Sequence, residues 1–518
     1  MNRIRIILSF ALFTGLLSCL PSFSVGQSVE VRNLGIDLPD EKLKEDIGIL
    51  SSEFMQGRKT GTIGLQNAAN FLVERMTNLE LSPFIGMNDH MQEYSLLQDH
   101  YFQYNIEAHQ KFYLFKEDFF YVHGYKDTSI LLDNLLFLGY GISDSIYDDY
   151  AGHNVKDKAI ILYDGEPPGL SRKIYGRKLE HPTSWSRDWK KKLSVIYEKR
   201  PSVVFVIVSK LENTADSLSN EARHTDFYRL ANAPGSIPVI FISEDLAMNF
   251  FPEHEEYRFK IAKKNIDRRT QPFSFSSSTD AVVPIMGRPQ DLMGLNIIGM
   301  IEGKHKRDEY VVVSAHFDHL GAMDSTFFPG ADDNASGVAA ILEMARDLVI
   351  AKRNGAEFER SIVFCLFSGE EIGLLGSSYF IDHLPIPPSS IIANLNLDMI
   401  GRKDTVYDGK LTGNYIYVIG DKDLSKNLLS INEECNSSGP ELILDYRFNS
   451  PDEPNKFSSR SDHYNFSKVN IPYLFYFNGV HKDYHKVSDT VDKIDLPLLK
   501  KRIQLIQLVT MKLAGVIQ

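Results

Sequence analysis

Three consecutive stretches decide the fold: YVVVSAHFDHLG at residues 310–321, PGADDNASGVAAILEMARDLVI at 329–350 and RSIVFCLFSGEE at 360–371. The first and third begin with short apolar runs rich in β-branched and aromatic residues, which are typical of buried strands. The middle stretch has apolar residues at helical spacing, namely Val338, Ile341, Leu342, Ala345 and Leu348. A strand, a helix and a strand in succession predict an α/β domain with a mostly buried sheet.

The same alternation continues on both sides of these stretches. NIIGMIEG (296–303) precedes them, and IIANLNLDM (391–399) and IPYLFYF (471–477) follow before a final helical pattern. Further upstream, residues 61–79 place apolar side chains at helical spacing and predict an amphipathic helix. We therefore expect one α/β domain made of two segments, residues 27–120 and 281–518.

Residues 121–280 differ in texture from both segments. Short β-rich runs (LLFLGYGI, AIILYDG, SVVFVIVS and SIPVIFIS) alternate with polar loops that contain Gly or Pro. This region lacks the clusters of His, Asp and Glu that follow later in the chain. The pattern predicts a smaller β-rich inserted domain.

Composition limits the classes of function. The 518 residues are 43% hydrophobic and 24% charged, which is typical of a folded protein. The net charge of -12 would repel a phosphate backbone, so we expect no nucleic-acid partner. The three cysteines form no CxxC pair, so any metal ion must be bound by histidines and carboxylates.

Residues 1–26 have the order of a secretory signal, with basic Arg3 and Arg5, an apolar run and then small and polar residues. The sequence predicts an exported protein, periplasmic or extracellular, cleaved after Gly26. The alternative is an imperfect lipobox at residues 16–19, which would leave Cys19 lipidated. The apolar run is shorter than the ~20 residues that span a bilayer, and no later stretch qualifies, so we expect no transmembrane span in the mature chain.

Residues with metal-binding chemistry follow the predicted strands. His316 and Asp318 are two residues apart and share a face while the strand continues, so one can bind a metal while the other orients it. Asp332 and Asp333 precede the predicted helix; one could cap it, but a cap does not need two adjacent aspartates. Ligand sites of open α/β sheets lie beyond the carboxyl ends of the strands, so these side chains should converge.

The remaining predicted strands are also followed by carboxylate and histidine residues. Glu370 and Glu371 form an adjacent pair whose burial is unfavourable without a cation, Asp398 follows the next strand, and His481 and His485 follow the last. Position along the chain does not decide between the two histidines. Together these residues suit two zinc ions, each with a histidine and a terminal carboxylate, bridged by one aspartate and a water.

The motifs also carry a family resemblance. AHFDHLG, PGADDNASGVAAILE, RSIVFCLFSGEEIGLLGS, NLDMIGR, SDHYNF and DYHKVSDTVDKID occur in this order, and the chain resembles the zinc exopeptidase family that includes bacterial leucyl aminopeptidases and glutamate carboxypeptidases. The resemblance covers about residues 290–500, with LSSEFMQGRKTGTIGLQNAANFLVERM similar to the opening segment of the family. It implies a phosphorylase/hydrolase-like fold, with a mixed, mostly parallel sheet sandwiched by helices. It also implies two zinc ions per chain.

Site roles follow from the resemblance, position by position. It implies five metal ligands, with Asp332 bridging the two ions: His316, Asp332, Glu371, Asp398 and His485. Glu370 would be the general base, and Asp318 would orient His316. The peptide bond between Asp332 and Asp333 is expected to be cis. The insert resembles a protease-associated domain, which in such proteins covers or shapes the substrate cleft.

Mechanism and substrate follow from these roles. Two zinc ions would acidify the bridging water and polarise the scissile carbonyl, while Glu370 moves a proton from water to the leaving amine. A substrate α-amine against one metal would restrict cleavage to the first bond of peptide substrates, so we expect an aminopeptidase. The alternatives are a glutamate-type carboxypeptidase, for which Arg402 and Arg460 are candidate carboxylate partners, a single-zinc glutaminyl cyclase, and a non-catalytic binding protein.

Overall fold

A computed structural model of the chain describes residues 39–517 except 102–103, 116, 124–127, 180–181, 188, 210, 212–225, 232–236, 286, 324–325, 410–412 and 451–452. The predicted signal segment and Cys19 lie outside the described residues. Within the described part of the chain, no helix has the length and apolar character needed to cross a membrane.

A mixed sheet of ten strands forms the centre of the molecule. Nine strands follow one another in space, and Ser82–Pro83 pairs with the seventh of them. The four central ones, third to sixth in the order below, run parallel. In spatial order the nine are Ile443–Asp445, Tyr415–Ile419, Tyr473–Phe477, Ile391–Leu397, Lys306–His316, Arg360–Phe367, Gly287–Ile301, Met91–Tyr101 and Asp226–Leu230.

Helices cover both faces of this sheet because alternate residues of each strand point to opposite sides. Val311 and Val313 face one apolar cluster, whereas Tyr310 and Val312 face another. The first cluster packs against five helices, Asp40–Leu50, Ile63–Asn78, Gly337–Arg353, Lys426–Ser438 and Leu496–Ala514. The second packs against two shorter helices, Leu375–Asp382 and His463–Lys468.

A second sheet, with its own apolar clusters on both faces, lies earlier in the chain. In spatial order its eight strands are Lys111–Tyr113, Ile106–Ala108, Ser274–Ile285, Thr128–Leu138, Ala159–Tyr163, Val203–Ile207, Val239–Ile242 and Phe119–His123. Its helices are Leu170–Tyr175, Ser184–Arg187, Trp189–Lys199, Glu244–Asn249 and Glu253–Arg269.

The second sheet does not coincide with the predicted insert, residues 121–280. Its strands begin at Ile106 and end at Ile285, so they extend beyond both predicted boundaries. Asp226–Leu230, within the predicted insert, instead adds an edge strand to the large sheet, with Leu230 opposite Leu96. The division into domains stays a prediction, as does the likeness to a protease-associated domain.

Short elements complete the described fold. Two small antiparallel pairs join Ala322–Met323 to Thr326–Phe327 and Glu357–Phe358 to Val516–Ile517. Single helical turns occur at Glu53–Arg58, Ala331–Ser336, Pro388–Ser390, Arg447–Asn449, Phe457–Ser459 and Val491–Lys493. Cys365 and Cys435 are both buried and free.

Candidate metal centre

The carboxyl ends of the parallel strands bring the predicted residues to one edge of the large sheet. Lys306–His316 ends in His316, Arg360–Phe367 is followed by Glu370 and Glu371, and Ile391–Leu397 by Asp398. His485 lies in the loop after Tyr473–Phe477, which turns back over the same edge. These side chains line one pocket together with Asp333. The convergence expected at the strand ends is therefore present.

Two histidine–carboxylate groups lie in this pocket, and Asp333 belongs to both. His316 Nε2 lies 3.4 Å from Asp333 Oδ1 and 3.3 Å from Asp398 Oδ1. His485 Nε2 lies 3.2 Å from Asp333 Oδ2 and 3.2 Å from Glu371 Oε2. The two carboxylate oxygens of Asp333 therefore point to different histidines.

These separations fit a pair of zinc ions. With Zn–N and Zn–O bonds of about 2.0–2.1 Å, neighbouring ligand atoms of a tetrahedral site lie about 3.3 Å apart, as the four separations do. They are longer than the ~2.7–2.9 Å that is typical of charge-assisted hydrogen bonds. The donor set thus suits two cations bridged by Asp333.

Asp332 does not take the bridging position expected of it. Its Oδ1 accepts hydrogen bonds from the Gly401 N–H (2.6 Å) and the Ser336 hydroxyl (3.1 Å), and its Oδ2 lies 3.1 Å from His481 Nε2. Adjacent side chains at this turn point in different directions, so Asp333 enters the pocket while Asp332 packs behind it. The cis peptide bond is likewise one residue later than expected, between Asp333 and Asn334.

His481 is buried beside Asp332, outside the pocket that His485 lines. This placement distinguishes His485 from His481, which their positions along the chain could not do. His481 contacts Asp332, which lies behind the pocket, whereas His485 contacts Asp333 and Glu371 in the pocket.

Nearby histidines favour the charged form of two buried carboxylates in the pocket. Burial opposes ionisation of Asp333, but hydrogen bonds from His316 and His485 lower its pKa well below the usual range. Burial also opposes ionisation of Glu371, and so does Asp333, but His485 and His319 lower its pKa to about 2. These carboxylates are charged only because positive charge lies next to them, which is the environment that a bound cation also provides.

Glu370 lies beside these groups and is not shared between them. Its side chain lines the pocket and could also reach His316 and Asp398. Burial raises its pKa well above the usual range, and Asp398 and Glu371 add to the rise. Glu370 is therefore the pocket carboxylate with the strongest tendency to bind a proton.

Asp318 lies directly behind His316. Its backbone carbonyl lies 3.2 Å from His316 Nδ1, and its carboxylate Oδ1 lies 3.7 Å from the same atom. A neutral histidine that binds a metal through Nε2 carries its proton on Nδ1, and Asp318 provides the acceptors for that proton. Its carboxylate also accepts the N–H of Glu370 at 3.2 Å.

His319 is a site residue that sequence reasoning missed. It is fully buried, and its Nδ1 lies 2.7 Å from Glu371 Oε1, a hydrogen-bond distance shorter than the separations around the two groups. His319 could also serve as a metal donor with Asp333 and Glu371. The sequence feature that could have identified His319 is its position as the second histidine of AHFDHLG.

Part of the pocket lining is apolar. It is formed by Met399, Phe457, Phe475, Phe477 and Val480. Tyr484 also faces the pocket, and burial raises the pKa of its phenol well above the usual range, so the group stays neutral. The pocket thus contains both charged groups and an apolar surface suited to an apolar side chain.

The two arginines considered for a substrate carboxylate differ in their surroundings. Arg402 pairs with Asp483 at 2.9 Å and lies 3.8 Å from Asp489. Arg460 is exposed, lines the pocket and lies over the ring of Phe457. Of these two side chains, only Arg460 lines the pocket.

Comparison with known proteins finds a family match over part of the chain. Residues 296–510 match peptidase family M28. Aminopeptidase YwaD of Bacillus subtilis is 39% identical over 131 residues, which are 24% of this chain and 26% of that protein. A probable leucine aminopeptidase of Trichophyton verrucosum is 30% identical over 223 residues, which are 42% of this chain and 57% of that protein. These alignments span less than two thirds of either relative.

A solved structure shares the overall architecture. The aminopeptidase from Aneurinibacillus sp. strain AM-1 matches over 90% of this chain and 92% of its own, with a TM-score of 0.51 and 16% sequence identity. The predicted α/β fold is confirmed by this match. The predicted resemblance to the zinc exopeptidases is confirmed by the family match.

Proposed function

We propose, on the premise that residues 296–510 belong to peptidase family M28, that this chain is a zinc-dependent aminopeptidase that hydrolyses the first bond of peptides. One observation carries the proposal. Two histidine–carboxylate groups share Asp333 at ligand-to-ligand distances, and a further carboxylate, Glu370, lies beside them. A closed structural zinc site has four ligands and no additional base.

We assign one ion to His316 and Asp398 and the other to His485 and Glu371, with Asp333 shared. When bound, zinc ions lower the pKa of water and polarise a carbonyl. The chain's own residues supply the rest of the site. Asp318 keeps His316 in the tautomer that leaves Nε2 free, and His319 orients Glu371 through its hydrogen bond.

Glu370 acts as the proton carrier. Its raised pKa makes it a better base than an ordinary glutamate, and general bases work best when their pKa lies near the working pH. The carboxylate takes a proton from the attacking water and returns it to the nitrogen of the leaving amine. Its backbone N–H, bonded to Asp318, fixes the position of the side chain.

The apolar wall favours a substrate with an apolar N-terminal residue. Phe457, Phe475 and Phe477 line the same pocket as the carboxylates, so a bulky side chain can be buried against them while the peptide bond lies at Glu370. Burying such a side chain contributes about 1.5–3 kcal/mol. Leucine or phenylalanine should therefore be preferred to glycine at the substrate N-terminus.

A carboxypeptidase is the second candidate because Arg460 faces the pocket. An exposed guanidinium there could bind the carboxylate of a substrate C-terminus. Arg402 is engaged with Asp483 and does not add a second cation. We favour the aminopeptidase because the pocket is otherwise rich in carboxylates, which attract an α-ammonium group.

Hydrolysis assays separate the two candidates. Leucine p-nitroanilide and its N-acetylated form are compared with an N-acylated dipeptide that has a free C-terminus, using the zinc-loaded chain and Glu370→Gln as control. We expect cleavage of the free-amine substrate alone, lost on chelation and restored by zinc. Cleavage of the N-acylated dipeptide would instead identify a carboxypeptidase, and no cleavage of any substrate would contradict both.

Export remains part of the proposal and depends on residues 1–26. The basic start and apolar run are typical of a cleaved signal. N-terminal sequencing of the protein purified from its native host should begin at Gln27. A lipid-modified N-terminal cysteine would show instead that the lipobox alternative at Cys19 is correct.

A further inference from the structure

A buried turn from the N-terminal part of the chain passes directly behind the candidate metal centre. Arg58 is 1% exposed and Thr60 is 2% exposed. Arg58 ends the helical turn Glu53–Arg58, and Thr60 lies in the short connection to the helix Ile63–Asn78. Neither residue lies within residues 296–510, and neither faces the substrate pocket. Their polar groups must therefore be satisfied inside the protein.

Arg58 binds the loops that carry the first two ligands. Its Nε donates to the carbonyl of Phe317 at 2.7 Å, next to His316. Its two terminal nitrogens donate to the carbonyls of Pro329 (2.8 Å) and Gly330 (3.0 Å), which precede Asp333. One guanidinium thus joins the loop after the His316 strand to the loop before the bridging aspartate.

Thr60 joins the first of these loops to a third one. Its hydroxyl donates to Asp318 Oδ2 at 2.9 Å and accepts the backbone N–H of Gly369 at 2.9 Å. Asp318 in turn accepts the N–H of Glu370 through its other oxygen. The hydroxyl therefore fixes both the carboxylate behind His316 and the turn that carries Glu370 and Glu371.

The turn has little freedom to lie elsewhere. Gly57 has φ +66°, and a Cβ at this position would lie 2.2 Å from the carbonyl oxygen of Gly321 and 2.7 Å from that of Phe328. Its own carbonyl accepts the N–H of Gly321 at 2.9 Å. Close backbone packing on both sides sets the positions of Arg58 and Thr60.

We propose that Arg58 and Thr60 are positioning residues of the metal centre, which fix three ligand-bearing loops relative to one another from outside the matched peptidase segment. The proposal rests on the proposed function only in taking the pocket as a zinc site. Thr60 acts through Asp318 on His316 and through Gly369 on the glutamate pair. Arg58 acts through backbone carbonyls on the loops of His316 and Asp333.

The test uses isosteric variants of the full chain. Thr60→Val keeps the volume and removes the hydroxyl, and Thr60→Ser keeps the hydroxyl. Thr62→Val is the matched control because the Thr62 hydroxyl is exposed and donates to the Lys59 carbonyl, away from the pocket residues. Zinc affinity is measured by competition with a chromogenic chelator on metal-free, folded protein, alongside kcat and KM for leucine p-nitroanilide.

Loss of an outer partner of a metal ligand typically weakens affinity or activity by about 10- to 100-fold. We expect Thr60→Val to lose zinc affinity and kcat by this factor with KM nearly unchanged, while Thr60→Ser and Thr62→Val resemble the wild type. Wild-type zinc affinity and kcat in Thr60→Val would overturn the proposal, as would equal losses in Thr60→Ser. A merely structural role would lower thermal stability but leave the zinc affinity of folded protein unchanged.

Arg58→Lys gives an independent result if Thr60→Val does not fold. Lysine keeps the positive charge but cannot donate in three directions from a planar group. We expect zinc affinity to fall by a similar factor, and wild-type affinity would overturn the role of Arg58. Because the zinc titration needs no substrate, a chain that binds zinc but cleaves no peptide would contradict the proposed function and leave the positioning role supported.

Discussion

Glu370 and Glu371 are neighbours in sequence, but their environments give them different chemistry. Glu371 contacts two histidines, and its pKa is lowered to about 2, whereas burial raises the pKa of Glu370. One residue is suited to a metal ion and the other to a proton. The contrast allows the two roles to be tested separately.

Glu370→Gln should keep zinc but lose turnover. The amide preserves size and removes the basic oxygen, and loss of a general base typically lowers the rate by roughly 100- to 10,000-fold. Zinc content is measured by elemental analysis and kcat by hydrolysis of leucine p-nitroanilide. Glu371→Gln is the matched variant and should lose zinc affinity; the reverse pattern would show that the base and the ligand are exchanged.

Asp333→Asn and Asp332→Asn form a second pair at the residue scale. Asp333 contacts both His316 and His485, whereas Asp332 contacts Gly401, Ser336 and His481. We expect Asp333→Asn to abolish binding of at least one zinc ion and Asp332→Asn to retain both with reduced affinity. Zinc titration of the two metal-free variants decides this, and stronger zinc loss in Asp332→Asn would restore the assignment made from sequence.

Residue types could be predicted at this scale, but not which of two adjacent aspartates enters the pocket. That choice depends on the backbone of the turn. The N–H groups of Asp332 and Asp333 both donate to Asp489 Oδ2, at 3.0 and 3.1 Å, from a residue more than 150 positions later. No local pattern carries this long-range contact. The same reason explains why the partners of Arg58 and Thr60 could not be predicted.

Secondary-structure elements were more predictable than side-chain directions. The run at 310–315 and the helical pattern from Gly337 agree with the strand Lys306–His316 and the helix Gly337–Arg353 because long apolar patterns depend only on burial. Asp226–Leu230 could not be placed because pairing with the large sheet requires a partner far away in sequence. The strand ends then locate the candidate metal centre.

The short helix His463–Lys468 carries a buried histidine that packs against the strand Tyr473–Phe477 of the large sheet. His463 Nε2 lies 3.1 Å from the Ser458 carbonyl, and its ring stacks on Phe475 with centroids 4.5 Å apart. Burial lowers the pKa of His463 to about 3, although the Ser458 carbonyl opposes the change. The ring is therefore neutral in the folded protein.

Replacement of His463 should change the acid sensitivity of folding. A pKa below the unfolded value contributes stability above about pH 6.5 that is lost as the pH falls toward 3. His463→Phe keeps an aromatic ring that cannot be charged, so the stability of the wild type relative to this variant should fall by about 2.5 kcal/mol between pH 7 and 4.5. Denaturant unfolding of both metal-free proteins measures it; parallel pH profiles would contradict a buried neutral His463.

The whole molecule combines a net charge of -12 with a pocket that concentrates carboxylates. Buried acidic groups lower stability unless positive charge compensates them. In the described structure, histidines beside the carboxylates provide this compensation. Burial lowers the pKa of His485, but Glu371 and Asp333 outweigh it and raise that pKa to about 11. A divalent cation at each group would provide more charge at shorter distance. Folding and metal binding should therefore be coupled.

Zinc should stabilise the whole chain and bind at two ions per molecule. Ligands that bind only the folded state stabilise it by RT ln(1 + [L]/Kd), about 2.7 kcal/mol when the free concentration is 100 times Kd. The melting temperature of metal-free protein should therefore rise with added zinc and fall again with chelator, while elemental analysis reaches two zinc per chain. His485→Ala should lose about one ion, whereas His481→Ala, which removes a contact of Asp332 instead, should keep two. One tightly held ion in zinc-replete wild-type protein would contradict the two-metal assignment and favour a single-zinc enzyme such as a glutaminyl cyclase.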